Sequence, residues 1–205
     1  MRGALKPFAF LAALIPVVAP KGALAETLIS TATTAPVQTS TANDDLRIDS
    51  GGSIKPTASG PAVTLNSDDS VTNQGAIAFN NVDNATGILV DASAAARAGD
   101  VTNSGTINLI EDYTSSDSDG DGDPDGAYAQ GGGRFGVRVS GANMFTGDIV
   151  QDSAGSIAIE GNNSAGVEID GPMTGDLKIG GGLSILGDNS YGIRTTGNIV
   201  GDFRF

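Results

Sequence analysis

The ten residues SVTNQGAIAF (70–79) return as DVTNSGTINL (100–109), and three short phrases recur around them in one fixed order. The first is Gly followed by apolar-any-apolar: GILV from Gly87, GVRV from Gly136, GVEI from Gly166 and GIRT from Gly192, with a weaker GPAVTL from Gly60. The second is Gly-Asp before an apolar residue, at Asp100, Asp148, Asp176 and Asp202. The third is Gly, a small residue, then Ile, placing Ile54, Ile77, Ile107 and Ile157 at like positions, with a looser GLSI ending at Ile185. Successive first phrases lie 49, 30 and 26 residues apart, and the longest interval contains an insertion. Three strand-like phrases per period of 25 to 30 residues describe a solenoid. No segment has a helical period, which excludes βαβ units, and a β-sandwich would not repeat its strands in this order.

The reading is therefore all-β: a right-handed parallel β-helix of about five three-strand coils, roughly 4.8 Å apart, with an acidic loop inserted at 111–134. Alternation within a phrase turns Val137 and Val139 inward and Arg138 outward. Glycines at the phrase boundaries are expected to supply positive-φ corners. Ile77, Ile107 and Ile157 should stack as an aliphatic ladder, and Asn73 and Asn103 as an amide ladder. Arg138, Glu168 and Arg194 should alternate in sign up the outer face, as a solvated ladder without a ligand. The column Asp100, Asp148, Asp176 and Asp202 repels itself unless compensated. It has two readings: each Asp caps backbone N–H groups at its own corner, or the column binds cations.

Residues 1–25 read as a secretory signal peptide: Arg2 and Lys6, then the apolar FAFLAALIPVV, then Ala23-Leu24-Ala25 before Glu26. The apolar run is too short to span a membrane. Residues 26–45 are rich in Ser and Thr, and are either a flexible spacer or a first polar coil; the β-helix proper is expected over 46–205. The whole chain carries a formal charge of −13. Arg2, Lys6 and Lys21 supply three positive charges to the leader, so the remainder carries −16. A surface this acidic repels nucleic acid and anionic lipid. With no Cys, no disulfide holds the fold.

DSDGDGDPDG (117–126) sets five aspartates at alternate positions, and with Glu111 and Asp112 gives seven acids and no base between 111 and 125. Oxygen ligands at this density suit Ca²⁺. Asp117, Asp119, Asp121, Asp123 and Asp125 are the expected ligands; a solvated acidic loop is the other reading. The opening DxDxDG matches an EF-hand loop, but its twelfth position is Tyr128 rather than Glu. The stretch is more similar to the Asp-rich calcium loops of thrombospondin type 3 repeats.

Without His or Cys, Ser-His-Asp and Cys-His catalysis and HExxH zinc sites are excluded. A carbohydrate-active β-helix enzyme is an alternative that needs three or more acids or arginines converging in one groove. The Gly-His-Gly and Arg-Ile-Lys signatures of polygalacturonases and the Arg motifs of pectate lyases are absent.

The leader, the Ser/Thr-rich start, phrases such as VTNSGTI and the scarcity of aromatics together resemble the passenger region of autotransporters, over nearly the whole chain. The resemblance implies export through the periplasm of a Gram-negative cell, and translocation through an outer-membrane barrel to the surface or beyond. It also implies a non-catalytic role as an adhesin or rigid stalk, with surface glycans or proteins as partners. The barrel is missing from these 205 residues, so the chain is expected to be an N-terminal fragment. A calcium-stabilised structural spacer is the further alternative.

Overall fold

The computed structural model describes residues 26–205; the signal peptide read over 1–25 lies outside them. The chain winds as a parallel β-helix with three long walls. The first wall stacks seven strands: Thr27–Ile29, Leu46–Ile48, Val71–Asn73, Val101–Asn103, Ile149–Gln151, Leu177–Ile179 and Phe203–Arg204. The second and third stack six each, the second including Ala76–Asn80 and Thr106–Ile110, the third Phe135–Ser140, Ala165–Ile169 and Tyr191–Thr195. Every pairing between these strands is parallel, so VTNQGAI and VTNSGTI are the same stretch of wall one coil apart.

The Ser/Thr-rich segment belongs to the solenoid. Thr27–Ile29 pairs with Leu46–Ile48, and Ala32–Thr33 and Val37–Gln38 open the other two walls. It forms the polar first coil, which adds one to the expected five. A single helical turn, Thr39–Ala42, follows, with Asn43 left-handed at φ 58°. One element had no counterpart in the phrases: a short fourth sheet of Arg97–Ala98, Phe145–Thr146, Met173–Thr174 and Ile199–Val200. It precedes the first wall in the later coils and buries Phe145 and Met173.

Like side chains stack in the core. Ile54, Ile77, Ile107 and Ile157 are in register and fully buried, and Leu183 continues the column. Burying an Ile of this kind contributes about 1.5–3 kcal/mol. The amide ladder also forms and runs one rung further than expected. Asn73 Nδ2 donates to Asn103 Oδ1 at 2.8 Å, Asn103 Nδ2 to Gln151 Oε1 at 3.1 Å, and Gln151 Nε2 to the Gly182 carbonyl at 2.8 Å. All three amides are buried, so each rung satisfies groups that have no water.

The glycines divide into two kinds, which corrects the expectation of corners throughout. In the Gly-Asp phrases, Gly99 (φ 125°) and Gly175 (φ 144°) do have the backbone that favours glycine. At Gly87, Gly136, Gly166 and Gly105 in the other two phrases the requirement is space, whereas Gly60 of the weaker first phrase again has positive φ, at 113°. A Cβ on Gly136 would lie 2.6 Å from Ile157 Cγ2 and 2.5 Å from the Gly166 carbonyl. Gly87 and Gly166 face Ile107 and Ile185 in the same way, so a glycine column on the third wall accommodates the aliphatic ladder of the second. On Gly105 a Cβ would meet the Gly75 carbonyl of the coil below at 2.2 Å.

Candidate functional site

The insertion leaves the second wall at Ile110 and rejoins the third at Phe135. Its base is a buried ion-pair network. Arg134, 1% exposed, reaches Glu111 Oε2 at 3.1 Å, Asp83 Oδ1 at 3.1 Å, the Val82 carbonyl at 2.9 Å and the Glu160 carbonyl. The two Glu111 oxygens also accept the N–H groups of Gln130 and Gly131, at 2.7 and 2.8 Å. Asp112 is taken up separately by Asn80 and Asn81. The acid run 111–125 therefore splits: Glu111 and Asp112 hold the loop to the solenoid and are not part of its acidic tip. Asn81, Asp83, Glu111, Gln130, Gly131 and Arg134 line a polar cavity of about 250 Å³ at this junction.

At the tip, carboxylate oxygens of Asp117, Asp119 and Asp125 lie within 4.8 Å of one another, and all three residues are exposed. Asp121 and Asp123 do not join them. Instead Asp119 Oδ1 accepts the Asp121 N–H at 3.2 Å, and Asp121 Oδ1 the Asp123 N–H at 3.0 Å. Of the five expected ligands the fold assembles three. They also order the loop: Asp117 takes the N–H groups of Gly120 and Gly122, and Asp125 those of Ser118 and Asp119. The hydroxyl and N–H of Ser118 hold the Asp125 carboxyl below the usual carboxylate range.

The Gly-Asp column is a capping ladder, but each carboxylate caps the coil above instead of its own corner. Asp100 Oδ1 accepts the N–H of Asp148 at 2.8 Å, Asp148 that of Asp176 at 2.8 Å, and Asp176 that of Asp202 at 3.0 Å. Two members lack the Gly-Asp phrase: Asp45 Oδ1 accepts the Ser70 N–H at 2.7 Å, and Ser70 Oγ that of Asp100 at 3.1 Å. What identifies them is their place just before a first-wall strand. Like-charge repulsion is offset by Lys178, whose Nζ sits 2.7 Å from Asp148 and 3.2 Å from Asp176. Lys178, then the Asp176 N–H, lower Asp148; the Asp202 N–H, then Lys178, lower Asp176; and the two carboxylates raise Lys178.

On the outer face of the third wall, Arg138, Glu168 and Arg194 occupy successive coils in register as expected. The ladder is not simply solvated, because Glu168 is only 1% exposed. Arg194 Nε donates to Glu168 Oε1 at 3.0 Å, while Arg138 passes Glu168 by and pairs with Asp170 through Nε at 2.9 Å. Asp170 is the member missing from the expected set. Phe135 and Tyr191 lie beneath the two guanidiniums, at 4.6 and 5.7 Å from their ring centroids. Two acids and two arginines thus converge, on a sheet face.

Among the described residues no helix is long and apolar enough to cross a membrane. Compared with family models, curated proteins and solved structures, the chain matches none.

Proposed function

We propose that the chain is a non-catalytic β-helical passenger of a Gram-negative autotransporter, exported by residues 1–25 and carried to the cell surface, where it acts as an adhesin or as the rigid stalk of one. The observation that supports this most is the unbroken register of the three walls over six coils. Such a stack is stiff along its axis, holds together without disulfides and offers long, polar outer faces. Its implied partners are an outer-membrane translocation barrel and, for an adhesin, surface glycans or proteins.

The test joins residues 1–205 to an outer-membrane translocation barrel in a Gram-negative host. Externally added protease should remove the segment from intact cells, and deletion of residues 1–25 should abolish this. A segment that stays protected in the periplasm refutes the passenger reading. Binding of purified 26–205 to glycan and protein surfaces then separates adhesin from stalk.

The convergence of Asp117, Asp119 and Asp125 favours a second reading, a calcium-stabilised spacer. Calorimetric titration with Ca²⁺ decides it: heat that is lost in Asp117→Asn, with a melting temperature lowered by chelation, supports the spacer. No heat at millimolar calcium removes it.

A further inference from the structure

We propose that Glu168 and Asp170 hold one proton between them, making the outer face of the third wall a pH-responsive lock across three coils. The lock runs Arg138–Asp170···H–Glu168–Arg194.

The argument starts from one atom. Among the described residues, Glu168 Oε2 is the single buried carboxylate oxygen without a hydrogen-bond partner. Its other oxygen is taken by Arg194 from the coil above. Asp170 stands two residues further on, just past the end of the strand Ala165–Ile169, and its pairing with Arg138 of the coil below keeps its side chain on the same outer face. Its own oxygens are engaged by Arg138 of the coil below and by Thr196 Oγ1 at 3.0 Å. With both acids ionised, a buried oxygen would carry charge with no donor and face a second carboxylate. Each condition alone is unfavourable. A proton on Oε2 removes both, because the partnerless buried oxygen becomes a donor, and Asp170, held on the same face by Arg138, is the acceptor assigned to it.

The neighbouring guanidiniums favour ionised acids, so the shared proton rests on burial and on the second carboxylate outweighing them. Arg138 and Arg194 face Glu168 from below and above, and Asp170 stands beside it. Tyr191 is held under Arg194, and Asp91 lies beyond Arg138, in register with Ser140. Two guanidiniums thus face a pair that holds one net negative charge. Burial, then Asp170, pushes Glu168 above the ordinary glutamate range against the pull of Arg194. Burial also pushes Asp170 up, but its bonds with Glu168 and Arg138 prevail and leave it lowered. A carboxyl that is harder to ionise folded than unfolded stabilises the fold below the unfolded value, about 4.3, and that contribution is lost as pH rises through the higher folded one. The lock is closed in acid and releases toward neutral pH.

Glu168→Gln mimics the closed state, since the amide donates where the carboxyl would and still accepts from Arg194. Thermal melting of residues 26–205 and of this variant from about pH 4 to pH 8 should give matching curves in acid. At the alkaline end the variant should melt higher, by roughly 2–4 °C. A variant that melts lower than the parent throughout would mean a plain Glu168–Arg194 ion pair, and overturns the proposal. Carboxyl ¹³C titration of the parent decides independently, even if the variant does not fold. Glu168 titrating above the glutamate range, with a mirrored step at Asp170, supports the shared proton. Glu168 titrating at or below that range refutes it.

Discussion

Asp148 Oδ1 accepts the main-chain N–H of Asp176, 28 residues later in the chain but the next rung up in space, at 2.8 Å. A side chain is thereby fixing the spacing between coils where the tight Gly-Asp corner interrupts main-chain pairing. Asp148→Ala removes the acceptor and leaves Lys178 with one partner. It should destabilise by about 1 kcal/mol, read as a lower urea midpoint with unchanged slope. Asp148→Asn, which keeps an acceptor, should lose less.

The same ladder fixes an acid limit. Asp148 and Asp176 are lowered in the folded chain, so their contribution is full above the unfolded value of about 3.9 and lost as pH falls through the folded values. Below about pH 4 the melting temperature should therefore drop, and the drop should be shallower in Asp148→Ala.

Gly136 tests whether glycine is needed for space. Gly136→Ala drives a methyl group into Ile157 and the Gly166 carbonyl. We expect a loss of about 1–3 kcal/mol, measured by chemical denaturation. Gly120→Ala is a control with free space around it but φ at 76°. It should cost about 1–2 kcal/mol through backbone strain and act on the loop alone.

Asn103 occupies the middle of the buried amide ladder. Replacing it with Ala strands Gln151 Oε1 and one of the two Asn73 Nδ2 hydrogens in the core, the other still reaching the Thr106 carbonyl. The expected loss is about 2–4 kcal/mol, a rough sum of two orphaned groups, seen in the same denaturation measurement.

Arg134→Met should be the most damaging of these changes, by about 3–5 kcal/mol, because Glu111 would remain buried and charged. Protease should then cut within 112–133 before the solenoid unfolds, which gel analysis of timed digests resolves.

The ladders at Ile77–Ile107–Ile157 and Asn73–Asn103 were legible because stacking makes a coil repeat its inward residues. Gln151 escaped because a longer amide does the same work without repeating the letter, and Ser70 stands in for Asp in the same way. Where equivalence is chemical instead of literal, reading by repeats passes over it. Asp170 and Arg134 were hidden for a different reason: their partners, Arg138 and Glu111, are 32 and 23 residues away. No local pattern marks such a pair. The five-aspartate motif reads as one unit in sequence, yet only Asp117, Asp119 and Asp125 bring carboxylate oxygens together, a division set by the path of the loop and not by the spacing of the letters.

Because each coil is bonded to its neighbours by main-chain contacts directed along the axis, tension applied lengthwise loads those layers one after another. Such a filament should extend under force in discrete, spring-like steps, one coil at a time, and rewind onto the remaining template when released.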